Sequence, residues 1–177
     1  NLAQCIIKEL SKSKTSVFKI SRKEIDFEKK NSNFKLNVSL KKINPNIIIN
    51  CVGIFKNNNF SFETMFKINT KISWDLINYY RNKNKKKVKI FVIGSSAYNK
   101  PRKNYILYVA SKAALNSIVK SAKELFYKTN IDIDIINPPA MKSTMRDEFF
   151  KINKFNKKNS KIEIDPKIIA KKIVRKF

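Results

Sequence analysis

Tyr108 and Lys112 stand four residues apart in the string Tyr-Val-Ala-Ser-Lys-Ala-Ala-Leu, residues 108–115. On a helix that spacing puts both side chains on one face. A free tyrosine titrates near ~10, too high for proton transfer at neutral pH. A lysine cation beside it favours the phenolate and lowers that value. Tyr108 can then give a proton to a carbonyl oxygen or take one from an alcohol. Ser95 stands thirteen residues before Tyr108, and its hydroxyl suits a hydrogen bond to the same oxygen. Ser96 adjoins it, but the register of Ile90-Phe91-Val92-Ile93-Gly94 favours Ser95. The pair Tyr108 and Lys112 is weak on its own, because a basic helix can carry it with the ring packed and the amine in water.

Composition closes off other chemistries. The chain of 177 residues has no histidine, which excludes His-based catalysis, His-metal sites and Ser-His-Asp triads. Its two cysteines, Cys5 and Cys51, form neither a disulfide framework nor a zinc site. No metal is expected, and a reduced, cytoplasmic setting fits. Apolar residues make up 42%, enough for a packed core in one domain spanning 1–177. The longest apolar run, Ile47 to Phe55, is far short of the ~20 residues of a spanning helix, so no membrane partner is expected. Lys and Arg number 39 against 13 Asp and Glu, a formal charge of +26. The lysines are scattered among Asn and Ile, as an AT-rich genome writes them. The densest runs, 82–87 and 151–161, read as exposed loops and lack the interleaved aromatics of a base-stacking platform. The charge therefore reads as solvated faces, with no nucleic-acid partner.

The residues that could do chemistry must be carried by regular elements. Leu2, Cys5, Ile6 and Leu10 mark a helix over 1–11 that reads as already under way at the first residue. Val17 to Ser21 reads as a short strand. Residues 31–44 are ambiguous: Phe34, Leu36 and Val38 alternate like a strand, yet Phe34 and Val38 also fit a helix. A near-continuous apolar run over 47–52 has the character of a strand buried on both faces of a parallel sheet, and 88–93 and 131–136 read as two further buried strands. Between them lie helices over 62–82 (Ile68, Ile72, Leu76 and Tyr80, four apart) and 105–127 (Leu115, Ile118, Val119, Ala122). Pro166 opens a last helix. Alternating strands and helices argue for an α/β fold with a doubly wound parallel sheet. Ligands in such sheets bind beyond the carboxyl ends of the strands. The residues after Ser21, Val52, Ile93 and Ile136 are therefore the ones that matter.

Four motifs in those places, in order, resemble the short-chain dehydrogenase/reductase family across essentially the whole chain. Gly94-Ser95-Ser96 with Tyr108-x-x-x-Lys112 resembles its catalytic signature, including the Ser-Lys-Ala-Ala flavour around the lysine. Asn50-Cys51-Val52-Gly53 is similar to the family's Asn-Asn-Ala-Gly turn, though it also reads as an ordinary strand-ending turn. Asn69, in Phe66-Lys67-Ile68-Asn69, matches the catalytic asparagine. Pro138-Pro139-Ala140-Met141-Lys142-Ser143 resembles the Pro-Gly motif, with Pro139 in place of Gly and Ser143 in place of Thr. The resemblance implies a Rossmann-like sheet and a hydride exchanged between a nicotinamide cofactor and a small carbonyl or alcohol substrate. Tyr108, Ser95, Lys112 and Asn69 would be catalytic. Lys112 would also grip the nicotinamide ribose, and Asn69 would anchor a water that relays protons to it. Tyr108, Asn50, Gly53, Pro138 and Ser143 would line the cofactor, with Ser143, or the adjacent Thr144, at the carboxamide. A homodimer or homotetramer built on the two long helices is implied for the intact protein.

The family's Gly-x-x-x-Gly-x-Gly loop can use neither of the two glycines here, Gly53 and Gly94. The resemblance therefore implies a chain truncated at the first strand and at the C-terminal end, poor in dinucleotide binding by itself. At the end of the 17–21 run, Arg22 and Lys23 suit a cofactor 2′-phosphate, which favours NADP over NAD. Both also read as two more solvated cations, and Glu24 and Asp26 follow closely. Two rivals stay open: a nucleotide-sugar reductase or epimerase of the extended branch, and a non-catalytic binding relative. Substrate choice would lie in the loop after Ser95 and in residues 145–164, with Phe149, Phe150 and Phe155.

Overall fold

The computed structural model describes residues 1–55, 60–81, 86–153 and 163–176. In chain order the elements are α1 (Leu2–Leu10), α2 (Ser32–Ile43), β1 (Ile47–Asn50), α3 (Phe62–Phe66), a π turn (Lys67–Lys71), α4 (Ile72–Arg81) and β2 (Val88–Ile93). There follow a 3-10 turn (Ser96–Asn99), α5 (Ile106–Leu125), β3 (Ile131–Ile136), α6 (Thr144–Asn153) and α7 (Pro166–Val174). They divide into two compact units, Ile20–Asn137 and a second made of Asn1–Lys19 with Pro138–Phe177.

The first unit is an α/β layer built on a parallel sheet in the order β1-β2-β3. Ile48 pairs with Ile90, and Ile90 with Ile133. The central strand is covered on both faces: Ile90, Phe91 and Val92 are each 0–1% exposed. That burial is why Ile90 to Ile93 form an unbroken apolar run rather than an alternating one. One face packs with Leu36 and Leu40 of α2, Leu76 and Ile77 of α4, and Leu115 and Val119 of α5. Each such side chain contributes about 1.5–3 kcal/mol when fully buried. In the second unit α1 packs on α7, burying Leu2, Ile6 and Leu10 with Ile169, Ala170 and Ile173. Asp165 caps α7 by accepting the Lys167 N–H at 2.8 Å, with Pro166 in the first turn. In the same unit a parallel bridge joins Met141 to Ile164, and the Arg146 Nε bonds the Glu163 carboxylate at 3.0 Å.

Several sequence expectations are corrected. Residues 17–21 form no strand, and Val17 and Phe18 are exposed. β-propensity makes a strand only where a neighbour completes the ladder, and the sheet among the described residues holds β1, β2 and β3 alone. The ambiguous 31–44 segment is a helix. Its signal is Ser32, Leu36 and Leu40, buried at spacings of four, whereas Phe34 and Val38 are exposed. Asn44 ends it in the left-handed region (φ 47°), its N–H on the Leu40 carbonyl. α1 begins at Leu2, with Asn1 as its cap. The strand expected over 47–52 stops at Asn50, whose side chain accepts the Val52 N–H at 3.0 Å and turns the chain off the ladder. The helix expected over 62–82 is interrupted by the π turn. Residues 82–85 and 154–162, which hold most of the two lysine-rich runs and Phe155, lie outside the described residues.

Candidate active site

The carboxyl edge of the sheet gathers Asn50, Gly53, Asn69, Ser95, Tyr108 and Lys112 within the first unit. β1 ends in Asn50, which is buried. Its Nδ2 donates to the Ser73 hydroxyl of α4 at 2.9 Å, while its oxygen holds Val52. The Asn50 side chain is thereby spent on shaping the turn. Gly53 has no left-handed φ, and its smallness serves a close approach. A Cβ there would lie 3.3 Å from both Asn69 Oδ1 and Lys112 Nζ.

Asn69 sits in the π turn, 2% exposed. It clamps the chain after Gly53 at two points: its oxygen accepts the Ile54 N–H at 2.8 Å and its Nδ2 donates to the Ile54 carbonyl at 3.0 Å. The same Nδ2 reaches the Ser111 hydroxyl on α5 at 3.0 Å. Thr70 donates to the Ser111 carbonyl at 3.0 Å. π turns often mark functional sites because the extra residue re-aims side chains; here it points Asn69 and Thr70 together at α5. With its amide so engaged, Asn69 has little side-chain capacity left to anchor a water.

α5 carries Tyr108 and Lys112 one turn apart. Between them Ser111, fully buried, donates to the Tyr108 carbonyl at 2.8 Å, so the asparagine clamp and the tyrosine turn are one network. Ser95 lies near enough to the Tyr108 hydroxyl to oppose the rise in its pKa. The Ser95 Oγ also accepts the Ala97 N–H at 3.2 Å, which leaves its own proton free for the phenol oxygen. Phe55 packs edge-on against Tyr108 at 5.1 Å and Tyr105 at 5.4 Å, walling the phenol.

Burial governs the titration of the pair. It raises the Tyr108 pKa, and the Ser95 hydrogen bond opposes that rise. It pushes Lys112, 4% exposed, down to about 8, with Cys51 acting in the other direction. The expected lowering of Tyr108 by Lys112 is absent from these causes. Burial likewise raises the Cys51 thiol to about 12.

Lys112 bonds no partner among the described residues, and its Nζ lies close beside Gly53, 3.3 Å from where a Cβ there would stand. That is the kind of group a bound hydroxyl or anion satisfies. Arg22 is exposed and paired with Glu28 at 2.7 Å and Asp26 at 3.7 Å. Nearby, Glu24 accepts the Ser21 N–H at 2.6 Å. Pro138 and Ser143 belong to the other unit, where Pro138 is buried and Ser143 accepts the Arg146 N–H at 3.2 Å at the start of α6.

Sequence reasoning missed Asn137 and Asn116. The Asn137 Oδ1 accepts the Ser95 N–H at 3.0 Å, and its Nδ2 donates to the Asn116 Oδ1 at 2.8 Å. The available signals were a polar residue directly after β3 and another at spacing four from Lys112 on an apolar helix face.

The short chain dehydrogenase profile matches residues 3–154. No curated protein matches the chain. A short chain dehydrogenase family protein from Francisella tularensis superposes with a TM-score of 0.79 at 15% identity, over 98% of this chain and 85% of that one. The 3-alpha-hydroxysteroid dehydrogenase of a Pseudomonas species, solved with NADH, gives 0.80 at 11% identity, over 98% and 84%. A Burkholderia cenocepacia short chain dehydrogenase in complex with NADP gives 0.75 at 12% identity, over 96% and 76%. Identities this low speak for the Rossmann fold alone, and the profile match speaks for the lineage. By its matched sequence and its parallel sheet, this chain belongs to the short chain dehydrogenase family.

Proposed function

We propose that the protein is an oxidoreductase that moves a hydride between a nicotinamide cofactor and a small carbonyl or alcohol. One observation carries the reading: a buried Lys112 with no described partner for its amine, one helical turn from Tyr108 on α5, with Ser95 close enough to the phenol to favour its ionised form. The unpartnered Lys112 amine beside Gly53 fits the ribose hydroxyls of a nicotinamide nucleotide. Lys112 and Gly53 would hold that end of the cofactor, beside the turn that Asn50 shapes. When bound, the nicotinamide supplies the hydride.

The protein's own part is proton placement. Tyr108 gives its phenolic proton to the carbonyl oxygen in reduction and takes it back in oxidation. Ser95 donates to the same oxygen and holds it at the phenol. Phe55 and Tyr105 exclude water on one side, which strengthens each of these bonds. Asn69 supports the site through its clamp on Ile54 and Ser111.

NADP is the proposed cofactor, with NAD second. The Arg22 ion pairs are exposed, and such pairs are worth about 0–1 kcal/mol. That is less than the charge-assisted bonds Arg22 would gain with a 2′-phosphate. The two free cysteines support a cytoplasmic setting. No helix among the described residues is long and apolar enough to cross a membrane.

The test is Tyr108→Phe, which keeps the ring and removes the proton. In the intact protein, with NADPH and NADH and a panel of aldehydes, ketones and sugar nucleotides followed at 340 nm, turnover should fall at least a thousandfold while NADPH binding stays within threefold. Comparable activity in Tyr108→Phe would falsify the assignment.

A further inference from the structure

Ser95 lies just past the end of β2, where the ladder to β3 runs out. The last backbone bond there is from the Gly94 N–H to the Ile136 carbonyl, at 2.8 Å. The next donor, the Ser95 N–H, meets a side chain instead, Asn137 Oδ1 at 3.0 Å. Ser95 keeps an extended backbone (φ −163°, ψ 141°), so the asparagine amide prolongs the ladder by one residue.

The orientation of this amide is dictated by chemistry. A backbone N–H can only donate, so Asn137 must present its oxygen to Ser95. Its Nδ2 then needs an acceptor, and Asn116 Oδ1 supplies one at 2.8 Å. Asn116 is 6% exposed. It stands on α5 at spacings of four from Lys112 and eight from Tyr108, along one stripe of the helix. Gly94 makes room for the arrangement, since a Cβ there would lie 2.0 Å from Asn137 Oδ1.

We propose that Asn116 and Asn137 are a pair of positioning residues that tie the Ser95 backbone to the helix carrying Tyr108, and so hold the serine hydroxyl on the phenol. The inference rests on the reading of Ser95 and Tyr108 as the reacting pair, but its test needs neither cofactor nor substrate. Failure of the oxidoreductase reading and failure of this one are therefore separate results.

Two spectroscopic readouts apply to the whole chain. The first is amide exchange at Ser95. It should be at least tenfold faster in Asn137→Leu and in Asn116→Leu than in the wild type. In Asn137→Asp and Asn116→Asp, which keep an acceptor where one is needed, it should stay within twofold. The second is the 19F resonance of Tyr108 in 3-fluorotyrosine-labelled protein, identified by its loss in Tyr108→Phe. Asn137→Leu should move it in the direction that Ser95→Ala does, and should move it no further in the Ser95→Ala background. Should either leucine variant fail to fold, the other leucine variant and the two aspartate variants still decide. Unchanged Ser95 exchange in a folded leucine variant, fast exchange in the aspartate variants, or equal shifts of Tyr108 in both serine backgrounds would each overturn the proposal.

Discussion

Lys112 is the residue whose burial has the clearest thermodynamic consequence. Its pKa falls from an ordinary 10.5 to about 8 because the amine is out of water with no described partner. Between pH 8 and 10.5 the unfolded chain keeps a proton that the folded one has lost, so stability rises with pH across that window. Below pH 8 both states are protonated and the full cost of burying the ammonium stands, roughly 3 kcal/mol at 1.36 kcal/mol per pKa unit. Lys112→Met should therefore be more stable than the wild type at pH 7, by up to about 3 kcal/mol. The advantage should shrink as pH rises to 10. Urea titrations at both pH values check this, and a variant less stable at pH 7 would contradict it. Lys112 and Tyr108 were legible in the sequence because helical spacing alone puts them together. Their titration was not, because it depends on how completely the neighbouring residues exclude water.

At the scale of elements, the junction of β2 and β3 is set by a missing side chain. A methyl at Gly94 would collide with Asn137 Oδ1 at 2.0 Å and press on Ile135 Cδ1 at 3.0 Å. Gly94→Ala should cost about 1–3 kcal/mol, the usual scale of overpacking. It should appear as a lower urea midpoint at unchanged slope. β1 and β2 were legible from their near-continuous apolar runs, whereas β3 alternates Ile and Asp over Ile131 to Asp134 and leaves Asp132 exposed. The 17–21 run failed because a strand is a property of two chains of backbone, and Val17 and Phe18 find no ladder among the described residues. α2 was ambiguous because Phe34 and Val38 are apolar yet exposed, which blurred the period that Ser32, Leu36 and Leu40 carry. Asn116 and Asn137 left no periodic trace, because a buried amide pair satisfies itself across elements far apart in sequence.

For the whole molecule the open matter is assembly. Phe62 on α3, Trp74 on α4 and Ile106 and Leu125 on α5 are each 43–59% exposed. Single exposed apolar residues need no explanation, but large ones on neighbouring helices fit a subunit contact. A homodimer or homotetramer using these helices is the expected state. Sedimentation velocity at micromolar concentration should show it, and Trp74→Glu should shift the distribution toward monomer. A wild type that sediments only as monomer would remove the prediction. The formal charge of +26 adds a condition: like-charged subunits repel, and salt screens that repulsion within about 10 Å at 0.1 M. Association should therefore strengthen between 0.05 and 0.3 M salt.

The π turn at Lys67–Lys71 makes the length of one helical stretch part of the design. A regular helix advances about 100° per residue. Removing any one residue from the turn would restore regular winding and swing everything before it by about that angle relative to α4. The stacked Phe62 and Phe66 rings would rotate to a different side of the rod, and Asn69 would lose its line to Ile54 and Ser111. A one-residue deletion here is thus a change of phase rather than a local scar. Deleting a residue from the turn and adding one elsewhere in α4 would keep the count yet not restore the site.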